Sequence, residues 1–224
     1  QYYAIVQLRY DKVFSRSSRL ADTLERLLCI YSVTGTESAL CDFICKELRQ
    51  SMSFPGGEKR IRRVRNSVIA EFLMDSSLPT VAFYGHLDTV PPWTNEVGKD
   101  VQKLVRSDST KIVGLGASDM KAGLAVMLEL ATKEIVASSR FNLQFVFYEA
   151  EEGPYKENGL HALLASEACM KNAELAFVLE PTNNAIYLGC MGGFNADVVF
   201  RGKKAHSASP WLGINAVYQS ASFI

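Results

Sequence analysis

Three apolar runs in this chain, "VAFYGHLD", "LQFVFYEAEE" and "LAFVLEPT", pass directly from strand-forming residues into histidine or acids. Between them lie two stretches of helical character, "SDMKAGLAVMLELATKEI" and "NGLHALLASEA". Short apolar strands alternating with helices predict crossover connections and a sheet covered on both faces. The expected fold class is therefore α/β, with a mostly parallel central sheet.

In open sheets of this kind, ligands sit beyond the carboxyl ends of the strands. Polar groups placed there lose hydration and need compensation. His86 and Asp88 end the first run, Glu149, Glu151 and Glu152 the second, and Glu180 the third. Asp119, after "GLGAS", is expected to open the helix that follows. Carboxylates gathered at low dielectric repel one another, so such a cluster implies cations. One histidine among carboxylates suits zinc, cobalt or manganese.

Spacing separates the roles. Positions i and i+2 of an extended segment share a face, so His86 is expected on a metal, with Asp88 holding its other ring nitrogen. Adjacent Glu151 and Glu152 point differently, which leaves one free as a base while the other binds. Asp119 is placed to bridge two ions, which at about 3.5–4 Å apart would activate a single water. Taken singly, His-x-Asp fits a surface turn, Glu-Glu a solvated helix start and Glu-Pro a plain turn. Their recurrence after three separate apolar strands favours the metal site.

The remaining sequence sets the surroundings. Leu20, Leu24, Leu27 and Leu28 have helical spacing, as do Leu40, Phe43, Ile44 and Leu48. Thr34 with Glu37 has the spacing of a capping box for the second of these helices, with Thr36 as the alternative cap. "RIRRVRNSVIAEFL" reads as one or two strands. The 24 basic and 24 acidic residues cancel, which gives no support for nucleic-acid or membrane-surface binding. The longest apolar helix candidate is interrupted by Glu129, Lys133 and Glu134, so no bilayer span is expected. The five cysteines show no C-x-x-C spacing, and Cys41 and Cys45, one helical turn apart beside Leu40, Phe43 and Ile44, read as buried thiols rather than a metal pair, in a reducing, cytoplasmic compartment. The opening "QYYAIVQL" lacks the features of a signal peptide, and the absent initial Met suggests a start that is not native. After Glu180 the pattern changes to two strands, a Gly-rich joint and a helix. The expected division is residues 1–191 and 192–224.

The segments "GHLDTVPP", "GLGASDMKAGLAVML", "FYEAEEGPYKENGL", "LEPTN" and "GKKAHSASPWLGINA" together resemble the M20 metallopeptidases, a family of dinuclear zinc amide hydrolases. The likeness is greatest to the family's actinobacterial desuccinylases. It implies a zinc-exopeptidase-like catalytic domain followed by the start of an inserted α+β dimerisation domain. It implies two Zn²⁺ per subunit, replaceable by Co²⁺, with His86, Asp119 and Glu180 on one ion and Asp119 and Glu152 on the other. Asp88 would orient His86, Glu151 would be the general base, and His206 would reach the partner subunit's site in a homodimer. The implied substrate is a small N-acyl amino acid, with deacetylases, aminoacylases and dipeptidases as alternatives on the same core. A non-catalytic binding module is the reading from another class. The family completes its second metal site with a further histidine. His86, His161 and His206 are the three present here, so that ligand is expected outside this sequence.

Overall fold

The computed structural model describes residues 6–7, 19–50, 54, 57–93, 100–108, 110–132, 136, 138–189 and 196–223 of the 224. It divides into two compact units, Gln1–Asn184 and Ala185–Ile224. The Gly192–Gly193 joint lies outside the described residues.

In the first unit, a two-residue strand β1 (Val6–Gln7) precedes helices α1 (Arg19–Leu28) and α2 (Ser38–Gln50). Strands β2 (Glu58–Val64), β3 (Ser67–Leu73) and β4 (Thr80–His86) follow. Short strands β5 (Arg106–Ser107) and β6 (Lys111–Val113) join β1 in a small separate sheet. Helix α3 (Ala122–Thr132), strand β7 (Asn142–Tyr148), helix α4 (Gly159–Ser166) and strand β8 (Ala173–Val178) complete the unit.

The central sheet has the order β2-β3-β7-β4-β8. Strand β3 is antiparallel to both neighbours, whereas β4 is parallel to β7 and β8. All the strands except β3 therefore run in one direction, as the α/β pattern predicts. The "RIRRVRNSVIAEFL" segment is two strands, turned at Arg65, which adopts a positive φ of 54°.

Strands β3 and β7 are buried on both faces, and their residues alternate between two cores with the period of two expected of strands. Val68, Ala70, Phe72, Phe145 and Phe147 face a core built with α1, α2 and α3. Ile69, Val146 and Tyr148 face the other side, against Leu163 of α4 and Met170. Phe83 stacks on Phe145 at 5.2 Å and on Phe177 at 5.5 Å, and the same residues are register partners. Each such pair contributes about 0.5–1.5 kcal/mol beyond its burial. The ladder ties β7, β4 and β8 together; β4 and β7 finish level at His86 and Tyr148, and β8 ends opposite Tyr84. Strand β8 departs from expectation, because Leu175, Phe177 and Val178 remain exposed.

The cysteines of α2 are buried as predicted, and burial pushes the Cys41 thiol up to about 12 against the lowering effect of Arg63. Cys41 and Cys45 are expected to resist alkylation at pH 8 in the folded chain and to react fully once it is unfolded. Peptide mass mapping before and after denaturant checks this, and equal labelling in both states would contradict it.

No helix among the described residues is long and apolar enough to cross a membrane. In the second unit, the expected strands are not formed among the described residues beyond a single bridge between Lys203 and Ile214. Val198 and Val199 are exposed there and have no ladder partner among the described residues. A six-residue helix, α5 (Ala216–Ala221), is capped by the Asn215 side chain.

Candidate metal centre

The chain leaves β4 through α3 on one face of the sheet and leaves β7 through α4 on the other, so β7 and β8 flank β4. The carboxyl end of β4 is thus a crevice between two divergent crossovers. His86 is the last residue of β4 and only 1% exposed. It pairs in register with Tyr148, the last residue of β7. The Leu179 amide donates to the Tyr84 carbonyl at 3.1 Å, which carries Glu180 to the same edge.

Asp119 arrives from a different element and not as expected. Its backbone angles and those of Met120 are non-helical, so α3 begins only at Ala122. The turn depends on Gly116, which has φ +72° and lies where an added Cβ would meet Thr89 Cγ2 at 2.4 Å. This geometry turns the Asp119 carboxylate back to the imidazole. His86 Nε2 lies 3.0 Å from Asp119 Oδ1 and 3.7 Å from Glu180 Oε1.

The opposite ring nitrogen faces Asp88 twice, with the backbone carbonyl at 2.9 Å and carboxylate Oδ1 at 3.5 Å. The Asp88 carboxylate is completely buried. It accepts from the Thr34 hydroxyl at 2.9 Å and from the amides of Glu151 and Glu152 at 2.9 and 3.0 Å. One side chain therefore serves both the imidazole and the loop that bears the paired glutamates.

Two sets of candidate ligands result, His86 with Asp119 and Glu180, and His86 with Glu151 and Glu152. Within each set the ligand atoms lie within 4.8 Å of one another. Glu149 does not join them. Its carboxylate pairs with Arg65 at 2.8 Å and accepts from the Asn66 amide at 3.3 Å, back at the β2–β3 turn. His206 lies in the second unit, exposed, with Nδ1 accepting from the Ala208 amide at 3.1 Å. His161, exposed on α4, stacks edge-on with Tyr155.

The electrostatics are those of a crowded anionic site. Burial pushes Glu180 up to about 7, with Asp119 and Glu151 adding to the rise and His86 opposing it. Burial likewise raises Glu152, helped by Asp119 and Glu151. The His86 hydrogen bond holds Asp119 low against its own desolvation. Burial alone would lower His86, but Asp119, Asp88 and Glu180 raise it to about 10. The carboxylates thus hold a positive charge in place, which is the service a divalent cation would perform. Oxygen and imidazole donors in two adjoining sets fit such ions.

The sequence reading missed two supporting residues. Glu37 does not form a capping box, and Thr36 instead donates its hydroxyl to the Val33 carbonyl. The Glu37 carboxylate is fully buried and accepts from the amides of Gly35 and Ala150 at 2.9 and 3.2 Å. Lys121, 2% exposed, donates to the carbonyls of Leu27 and Ile30 at 3.1 and 2.7 Å, so it caps the end of α1. Only the proximity of Lys121 to Asp119 in the sequence could have marked it.

The family model described as Peptidase family M20/M25/M40 matches residues 82–221, more than half of the chain. The chain belongs to peptidase family M20/M25/M40. A succinyl-diaminopimelate desuccinylase of Corynebacterium glutamicum is 34% identical over 202 residues, covering 89% of this chain and 52% of that protein. A Mycobacterium tuberculosis protein that carries the desuccinylase name DapE is 35% identical over 193 residues, covering 86% and 51% respectively. The M20 chain therefore spans about half the length of these relatives. Among solved structures, the Bacillus cereus aminopeptidase PepT matches with a TM-score of 0.57 at 22% identity, over 91% of this chain and 54% of that one. A Staphylococcus aureus tripeptidase also scores 0.57, at 20% identity and with the same coverage. These two likenesses show that the fold is shared. Membership makes the chain part of a metal-dependent hydrolase family, and its His/Asp/Glu cluster is suited to hold metal.

Proposed function

We propose that this chain forms the metal-ligand core of a cytoplasmic amide hydrolase that converts N-succinyl-LL-2,6-diaminopimelate and water to succinate and LL-2,6-diaminopimelate. The observation that carries the reading is the convergence of His86, Asp119, Glu180, Glu151 and Glu152 at one sheet edge. The two actinobacterial relatives, near one-third identity, support the choice of substrate. The product is a diamino acid of the kind used in lysine and cell-wall synthesis.

In this reading His86, Asp119 and Glu180 hold one divalent ion, and Asp119 and Glu152 help to hold a second. Zn²⁺ is the expected metal, with Co²⁺ as a substitute. Bound ions would polarise the amide carbonyl and ease deprotonation of water. Asp88 fixes the His86 ring and, through two amides, the direction of the Glu151–Glu152 loop. Glu151 takes a proton from the attacking water and returns it to the leaving amine nitrogen. His206 is assigned to the oxyanion in the partner subunit of a homodimer, as the family resemblance implies.

Chelation of the whole enzyme is expected to abolish turnover, and Zn²⁺ or Co²⁺ to restore it. Among N-succinyl-LL-2,6-diaminopimelate, N-acetylornithine and a dipeptide, the succinyl substrate is expected to give the highest kcat/KM. Full activity without metal would overturn the metal assignment, and preference for either rival would overturn the substrate assignment.

A further inference from the structure

The segment Ser32–Glu37, "SVTGTE", connects α1 to α2 and supplies none of the proposed ligands. It nevertheless grips both backbone stretches that carry them. Val33 forms a parallel bridge with Thr89, the Thr89 amide donates to the Ser32 carbonyl at 2.9 Å, and the Thr34 amide donates to the Thr89 carbonyl at 3.2 Å. The Thr34 hydroxyl reaches Asp88, and the Glu37 carboxylate reaches the Ala150 amide. Gly35 permits this path, since its φ of +84° places its own amide on Glu37 as well.

The gripped loop is strained. Ala150 has φ +56°, a left-handed conformation that residues with a Cβ rarely adopt. The amides of Ala150, Glu151 and Glu152, three in succession, all end on buried carboxylates, the first on Glu37 and the other two on Asp88. A buried carboxylate is costly to maintain, and Glu37 Oε2 has no hydrogen-bond partner among the described residues. A cap for α2 would not require such burial, whereas fixing the loop from its sheet side accounts for it.

We propose that Glu37 is a positioning residue for the paired glutamates. Through the Ala150 amide it holds the left-handed turn, and that turn sets the directions in which the Glu151 and Glu152 side chains leave the loop. Its effect on metal binding rests on the function proposed above, while the clamp on the loop does not.

The test compares Glu37→Ala, Glu37→Gln and Glu37→Asp with the unaltered chain, after circular dichroism has confirmed folding. The readouts are hydrogen exchange at the 150–152 amides and Co²⁺ titration by visible absorption. Glu37→Ala is expected to speed exchange at 150–152 by roughly tenfold, as loss of one hydrogen bond implies, and to leave the amides within β7 nearly unchanged. It is also expected to weaken Co²⁺ binding by about 10–100-fold. Glu37→Gln keeps an acceptor oxygen for both amides and should recover most of the loss. Unchanged exchange at 150–152 in the alanine variant, or equal loss in the glutamine variant, would overturn the proposal. Should Glu37→Ala not fold, Glu37→Asp decides: the shortened side chain withdraws its oxygen from the Ala150 amide, so faster exchange at 150 supports the clamp and unchanged exchange refutes it. If the unaltered chain takes up no Co²⁺, the metal reading fails, and the exchange results still decide the role of Glu37.

Discussion

Glu151→Gln is expected to lower turnover of the whole enzyme by roughly 10²–10⁴-fold, the range for loss of a general acid–base group, with metal content unchanged. Glutamine matches glutamate in shape but cannot accept the proton of the attacking water. Its backbone amide still donates to Asp88 Oδ1, so the loop should keep its path. The geometry offers a competing outcome, because the Glu151 carboxylate lies within 4.8 Å of the ligand atoms of His86 and Glu152. If Glu151 is instead a ligand, the same substitution will release metal. Zinc per chain measured beside kcat separates the two roles. Metal loss in Glu151→Gln together with retained metal in Glu152→Gln would reverse the assignment.

Asp88→Asn should be the most damaging substitution for folding among the residues around the site. Asp88 Oδ1 accepts one amide, and Oδ2 accepts another amide and a hydroxyl. The asparagine NH₂ would replace one of these oxygens and confront an amide that can only donate. Burial tends to raise the Asp88 carboxyl, but His86, the Glu151 and Glu152 amides and Thr34 together hold it below its ordinary value. The ionised form is thus the one the fold uses. Leaving one or two buried donors unsatisfied should cost roughly 2–4 kcal/mol. Urea denaturation of the two chains measures this, and a loss below about 1 kcal/mol would show that the carboxylate is not a structural hub.

Much of the candidate site's layout was legible because each strand and the polar residues at its end are adjacent in the sequence. "VAFYGHLD" announces both a strand and what waits at its end, and the Phe83 ladder leaves little freedom in how the neighbouring strands align. The misses share a physical cause. Asp119 resembles a helix start, but its position depends on the left-handed Gly116 and on the approach of Thr89, both set by the fold. Glu149 looks like its neighbours Glu151 and Glu152, yet Arg65, from the turn of another hairpin, draws it away. Glu37 has the spacing of a local cap, but its carboxylate bonds an amide 113 residues later. Local patterns carry no record of such distant partners. Strand β8 reads as buried from its apolar composition, but burial depends on what packs against it.

The central claim is that the strand-end acids form a divalent-metal site. Its most direct test is Co²⁺ titration of this chain by visible absorption, beside His86→Ala and Glu180→Ala. His86, Asp119 and Glu180 provide three protein ligands, enough for a tetrahedral ion completed by water. The unaltered chain is expected to bind at least one Co²⁺ with the intense visible bands of low coordination, and either substitution to abolish those bands. Absence of saturable binding in the unaltered chain, or binding that survives both substitutions, would contradict the claim.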